Sequence, residues 1–137
     1  MPRQEKPGAV AAGAAAAASR PAVLCVQLRD SGQIRHVLSA LQATAFECAD
    51  GASAIAMARA AAMSCAIVPA QLPDMPANRL IAELHAAAPG LAVLVVADSP
   101  AISETVSYMR AGAHAVIDNR ILSAGLMVYL APLLRGR

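Results

Sequence analysis

Few side chains in this sequence suit reactive chemistry. Its 137 residues include 9 acids, 3 histidines and 3 cysteines. Asp30, Asp74, Asp98 and Asp118 each lie at or just beyond a short apolar run. Carboxylates so placed have two chemical uses. They ligate a hard divalent cation, which prefers charged oxygen, or they accept a phosphoryl group as oxygen nucleophiles. The competing expectation is structural: pairing with Arg29 or Arg120, capping helices, or facing water. His36, His85 and His114 fall on different elements with no matched carboxylate or cysteine spacing, so no metal site is expected from them. Cys25, Cys48 and Cys65 sit in apolar runs without any C-x-x-C spacing and are expected as buried, reduced thiols. No phosphate-cradling glycine motif, nucleophile elbow or nucleophile–base pair occurs, so the sequence does not read as an enzyme and no cofactor is implied.

The elements that must position these groups alternate from residue 21 onward. Short runs suited to buried parallel strands are Ala22–Gln27, Ala45–Ala49, Cys65–Pro69, Leu91–Ala97 and His114–Asp118. Between them lie segments with helical spacing. Ile34, Val37, Leu38 and Leu41 share one face behind Ser31, a candidate N-cap. The second segment, Ala52–Ala62, is alanine-rich. The third groups Leu80, Ile81 and Leu84 and stops at Pro89-Gly90. The fourth, about Ala101–Ala111, is expected to turn Ile102, Thr105, Val106 and Met109 inward and to end at Gly112. The fifth, Leu122–Leu134, carries an inward stripe of Leu122, Leu126, Tyr129, Leu130 and Leu133. This alternation predicts an α/β fold: a (βα)5 doubly wound parallel sheet, strand order 2-1-3-4-5, flavodoxin-like, with function at the carboxyl ends of the strands.

Composition narrows the function. Hydrophobic types make up 58% of the chain but aromatics only 2%, and about a quarter of all residues are alanine, so the core rests on Leu, Ile, Val and Met. A net charge of +2 with 15% charged residues gives no footprint for nucleic acid. No stretch suits a membrane span. Residues 1–20 read as a disordered Ala/Gly-rich tail, residues 21–137 as one domain, and the protein as cytoplasmic.

Three fragments carry a family resemblance. Ala49-Asp50-Gly51-Ala52-Ser53-Ala54 is similar to the second-strand to second-helix turn of response-regulator receiver domains. Leu72-Pro73-Asp74-Met75 is similar to the loop after that family's third strand, and Met109-Arg110-Ala111-Gly112-Ala113 to the end of its fourth helix. The fragments occur in the right order in a (βα)5 frame covering about residues 22–134. The resemblance implies two-component signalling. It also implies an acidic pair that binds Mg²⁺, a phosphoacceptor aspartate, a hydroxyl, a lysine and an aromatic switch. In this sequence the acidic pair falls on Gln27 and Leu28, the acceptor on Pro69, the hydroxyl on Ala97, the lysine on Asn119 and the switch on Val116. None of the five chemical positions retains the required type, and proline has no nucleophilic atom.

A degenerate receiver (pseudo-receiver) is therefore expected, acting by phosphorylation-independent protein–protein interaction. Its partners would be a histidine kinase, regulator or output protein, or a second copy of the chain. The expected face joins the fourth helix, fifth strand and fifth helix through Tyr108, Arg110, Ile121, Met127, Val128 and Leu134. The alternatives are a phosphorelay receiver with its acceptor moved to Asp98 or Asp74, and a small-molecule sensor using the emptied cleft. No output module is read after Arg135-Gly136-Arg137, so the expectation is either a stand-alone receiver-like protein or a fragment of a longer one.

Overall fold

A computed structural model describes residues 21–26 and 31–135. The tail over 1–20, and Gln27, Leu28, Arg29 and Asp30 with the expectations placed on them, lie outside the described residues. The elements are β1 (Ala22–Val26), α1 (Ser31–Ala40), β2 (Thr44–Cys48), α2 (Gly51–Ala60), β3 (Cys65–Pro69), α3 (Ala77–Ala87), β4 (Ala92–Ala97), α4 (Ile102–Ala111), β5 (Ala115–Asp118) and α5 (Leu122–Arg135). A single 3-10 turn, Asn119–Ile121, joins β5 to α5. The five strands are all parallel in the order β2-β1-β3-β4-β5. This is the expected (βα)5, flavodoxin-like architecture with strand order 2-1-3-4-5.

The sheet separates two cores because alternate residues of each strand point to opposite faces. Val23, Cys25, Cys65, Ile67, Leu94, Val96, Ala115 and Ile117 face α1 and α5, where Ile34, Leu38, Leu122, Leu126 and Leu130 cover them. Leu24, Val26, Ala66, Val68, Val93 and Val95 face the other way, under Ala54, Ala58, Leu80, Ile81 and Leu84 of α2 and α3. β3 and β4 are buried on both faces, which is why they read as unbroken apolar runs. β2 departs from that expectation. It is an edge strand with Ala45, Phe46 and Glu47 exposed, and Glu47 there accepts from Arg35 of α1 at 3.1 Å.

Two helices orient differently from the sequence reading. α4 buries no residue fully. Ile102, Val106 and Met109, expected inward, are 84%, 42% and 45% exposed. Tyr108 and Ala111 pack against the core instead, and the Asn78 side-chain amide of α3 donates to the Ser107 hydroxyl. Periodicity allowed either stripe to face inward. The small side chains of Ser107 and Ala111 let the helix lie close on their side, and the larger apolar groups are left outward. On α5, Leu122, Leu126, Leu130 and Leu134 form the buried stripe. Tyr129, expected inward, is 38% exposed and meets His114 edge-on with ring centroids 6.4 Å apart.

Gly125 has a steric purpose. A Cβ there would lie 2.6 Å from Cγ2 of Ile117, a side chain fully enclosed by the core, so the glycine lets α5 cross β5 closely. Gly125→Ala is expected to cost about 1–3 kcal/mol in urea unfolding. Combined with Ile117→Ala it should cost less than the sum of the two, because the shortened side chain removes the clash.

The three cysteines are free and buried. Burial pushes the Cys25 and Cys65 thiols up to about 12, and raises Cys48 as well. The unfolded chain releases these protons near the ordinary thiol value of 9.0, while the folded protein retains them. Their stabilising contribution is complete below that value and is lost as pH climbs toward 12. Urea midpoints measured from pH 7 to 11 should therefore fall from about pH 8.5 upward. The slope should shrink in the Cys25→Ala, Cys65→Ala variant, and thiol reagents should modify the native protein only as it unfolds.

Candidate functional site

Parallel strands deliver their last residues to one edge of the sheet, where the sequence placed its candidate positions. Pro69 ends β3 opposite Val96 of β4, and the following Ala70 N–H donates to the Val96 carbonyl at 2.9 Å. Ala97 ends β4 opposite Asp118 of β5. Asn119 opens the 3-10 turn directly after β5. Pro69, Ala97 and Asn119 line one open cleft of about 750 Å³. Three of the five positions that the resemblance singled out thus meet in space. Gln27 and Leu28 fall outside the described residues. Val116 is half-buried and packs against the core under α2 and α3.

The cleft also takes in further residues, some from the expected strand ends and some from helices that the sequence did not place there. Ile34, Val96 and Leu122 contribute apolar surface. Gln71, Leu72 and Pro73 come from the β3–α3 loop. Glu104 and Tyr108 reach in from α4. The fold signals available in sequence locate strand ends, but they say nothing about which face of a following helix leans over them.

The charges at the cleft are adverse to a phosphoryl group. Asp98 and Glu104 line it, and no cationic side chain does so among the described residues. The Asn119 side-chain amide donates to Asp98 Oδ1 at 3.0 Å, so the group at the lysine position is already engaged by a carboxylate. Glu104 accepts the Ala101 N–H at 2.8 Å and closes the start of α4. Tyr108 is half-buried, and partial burial followed by the nearby Glu104 charge raises its phenol. Among the described residues of the cleft, a phosphoryl dianion would meet negative charge and no cationic side chain. Ser99, beside Asp98, adopts a left-handed backbone with φ of 43° directly before Pro100, so the β4–α4 loop turns sharply at the rim.

The remaining aspartates act structurally. Asp118 caps the 3-10 turn through the Arg120 N–H and pairs with the Arg120 guanidinium at 2.7 Å. Those hydrogen bonds hold its carboxyl down at about 2. At the start of α2, the Gly51 and Ala52 N–H groups each donate to an Asp74 carboxylate oxygen at 3.0 Å. Ser53 N–H donates to Asp50 Oδ1 at 2.8 Å, which lowers the Asp50 carboxyl. The first three amides of the helix are thus satisfied by two carboxylates. Met75 packs over the same turn so closely that a Cβ on Gly51 would sit 2.8 Å from its sulfur. Both Asp74 oxygens are committed to backbone, and Asp74 does not line the cleft. Among the described residues, no group of three or more His, Cys, Asp or Glu side chains is arranged to hold a metal ion.

The expected interaction face needs three corrections. Leu134 is buried in the α1/α5 core. Tyr108 turns toward the core and the cleft rather than outward. Met127 is exposed, but at about 100° per residue it projects about 100° around α5 from Val128, and so belongs to another side of the helix. Ile121 and Val128 are exposed as expected, at 60% and 64%, and Arg110 is exposed on α4. The outward stripe of Ile102, Val106 and Met109 adds to the apolar surface of this side.

No protein-family model matches the chain, and no curated protein does. Solved structures do match. A CheY-like response regulator receiver domain protein from Methanospirillum hungatei aligns at 19% identity with a TM-score of 0.76, covering 85% of this chain and 95% of its own. A signal receiver domain of an HD domain-containing protein from Pseudomonas fluorescens aligns at 21% identity with a TM-score of 0.75, covering 85% and 96%. The receiver domain of a sensor histidine kinase from Pseudomonas aeruginosa, solved with magnesium coordinated in its active-site cleft, aligns at 18% identity with a TM-score of 0.72, covering 85% and 98%. At these identities the likeness is one of fold, and the fold is that of receiver domains. No helix among the described residues is long and apolar enough to cross a membrane.

The Asp74 tether can be tested directly. Asp74→Ala should destabilise the domain by about 1 kcal/mol in urea unfolding, the usual cost of losing a helix cap. It should also speed hydrogen exchange at the Gly51 and Ala52 amides.

Proposed function

We propose that this protein is a degenerate receiver domain, cytoplasmic and non-enzymatic, which works in bacterial signalling by docking to another protein without being phosphorylated. The observation that carries this reading is the cleft itself. The receiver fold brings Pro69, Ala97 and Asn119 together at the carboxyl edge of the sheet. None of these three side chains is a nucleophile, a hydroxyl or a cation. Glu104 and Asp98 add negative charge where a phosphoryl group would need compensation. With the chemistry removed, what the scaffold offers is surface. Ile102, Val106 and Met109 on α4, with Ile121 of the 3-10 turn and Val128 on α5, leave apolar groups exposed near the β5 edge. The candidate partners are a histidine kinase, a regulator, an output protein or a second copy of this chain.

A second reading draws on one observation. The cleft, at about 750 Å³, is of a size that accommodates a small organic ligand, and part of its wall is apolar. Sensing of such a ligand would use the same scaffold and the same outward helices. The relocated-acceptor reading has less support, because Asp74 is engaged with the α2 amides and Asp98 has no lysine beside it among the cleft residues.

The test is exposure of the full chain to acetyl phosphate, and separately to beryllium fluoride, each with Mg²⁺. The intact mass should not change, and the amide resonances of Ala70, Ala97 and Asp98 should not shift. A phosphoryl adduct, or saturable shifts at those residues, would overturn the proposal. Loss of such an adduct in Asp98→Asn would move the acceptor to that residue.

A further inference from the structure

The two edges of the sheet are unlike. β5 has no exposed residue and lies against both α4 and α5. β2, at the other edge, exposes Ala45, Phe46 and Glu47 in a row and has a neighbouring strand on one side only. Natural edge strands are commonly blunted by a bulge, a proline, a lysine or an unpaired charge. β2 has none of these. Its residues pair one to one with β1, from Ala22 with Thr44 to Val26 with Cys48. The charge it carries, Glu47, is paired with Arg35 of α1 at 3.1 Å. The backbone groups left over can be assigned. The Thr44 N–H donates to the Pro21 carbonyl, on the β1 side, at 2.9 Å. Alternation along the strand turns the N–H and C=O of Phe46 and Cys48 toward β1 as well, so those of Ala45 and Glu47 point off the edge. The side chains divide in the same way. Phe46 pairs with Leu24, which faces α2 and α3, whereas Glu47 pairs with Cys25, which faces α1 and α5.

We propose that the β2 edge is a homodimer interface, at which a second copy of this chain joins its own β2 antiparallel about a two-fold axis beside Phe46 and continues the sheet. The register follows from which groups are free. In an antiparallel ladder, residues whose N–H and C=O face each other exchange two hydrogen bonds, and the alternate pairs exchange none and lie closer, at about 4.5 Å between Cα atoms. With Ala45 and Glu47 supplying the free groups, Ala45 of one copy faces Glu47 of the other. That arrangement is two-fold symmetric. It sets Phe46 opposite its own copy at the close, non-bonded pair, with both rings on the α2 side, where an aromatic pair is favourable. It also puts each Glu47 opposite an alanine, so no like charges stand directly across from each other. The helix beside this edge leaves room. Met57 of α2 meets Cys48 of β2 at 3.8 Å and so marks the side of the helix nearest the edge. Its neighbours on that side, Ser53 and Ala60, are exposed and small. Because β5 is covered, the assembly closes at a dimer. A strand of 5 residues buries little area, so the dimer belongs to the weak, concentration-dependent class. This surface is distinct from the outward residues of α4 and α5, and the proposal does not depend on the state of the cleft.

Sedimentation velocity of the full chain from about 5 to about 500 µM tests the proposal, and the average mass should rise toward that of a dimer and no further. Amide exchange followed by NMR should slow at Ala45 and Glu47 at least about threefold between about 50 and about 500 µM, while the Phe46 amide, already bonded to β1, stays unchanged. Ala45→Pro removes an N–H that β1 does not use. The variant should keep the far-UV circular dichroism of the parent and weaken the dimer at least about tenfold. Phe46→Lys sets two like charges against each other at the centre of the register and should weaken it as much. A monomer at every concentration would overturn the proposal, and so would growth beyond a dimer or a dimer that survives both variants. A dimer lost in Val106→Glu and retained in Ala45→Pro would place the interface on α4, which also overturns it. Should Ala45→Pro fail to fold, Phe46→Lys and the concentration dependence of the Ala45 and Glu47 amides decide by the same criteria.

Discussion

A strand that is to run parallel to its predecessor must first return the whole length of the sheet. In this chain every return is made by a helix, so both faces of the sheet become covered and every strand ends at the same edge. That constraint governs the rest of the molecule. It makes β3 and β4 apolar on both faces, and it leaves β2 and β5 as edge strands. It also gathers Pro69, Ala97 and Asn119, separated by up to 50 positions in sequence, around one cleft. The backbone arrangement is thus indifferent to whether the residues at that edge are reactive. The same scaffold carries coordinated magnesium in the sensor-kinase receiver domain it resembles, whereas here the edge presents a proline, an alanine and an amide.

The polar groups at this edge have been taken up by the fold. Asp74 and Asp50 satisfy the opening amides of α2, Asp118 binds Arg120, and Asp98 receives the Asn119 amide. Each of these bonds fixes a loop at that edge that would otherwise be free. The Asp74 tether is the strongest case. It ties the β3–α3 loop, which forms part of the cleft wall, to a neighbouring helix with both carboxylate oxygens, and Met75 closes over the same turn.

Much of this was legible in the sequence, and the reasons for the exceptions are physical. Strands buried on both faces leave an unmistakable pattern, so Cys65–Pro69 was located to the residue and Leu91–Ala97 to within one. Their ends located Pro69 and Ala97, and the end of β5 located Asn119. Phe46 was misleading because an apolar run at an edge looks the same in sequence as one at the centre. α4 was misread because it has two candidate stripes of similar spacing, and the choice between them depends on which neighbour it lies against. The engagement of Asp74 with amides 22 and 23 residues away has no local signature at all.

The α4 misreading bears on function. Amphipathic spacing assigns large aliphatic residues to the core because burying them is the main source of stability. A helix that turns Ile102, Val106 and Met109 outward forgoes that contribution and is held by Tyr108, Ala111 and one side-chain hydrogen bond. The forgone burial is recoverable only if another surface covers the stripe. Covering it would stabilise α4 where it lies.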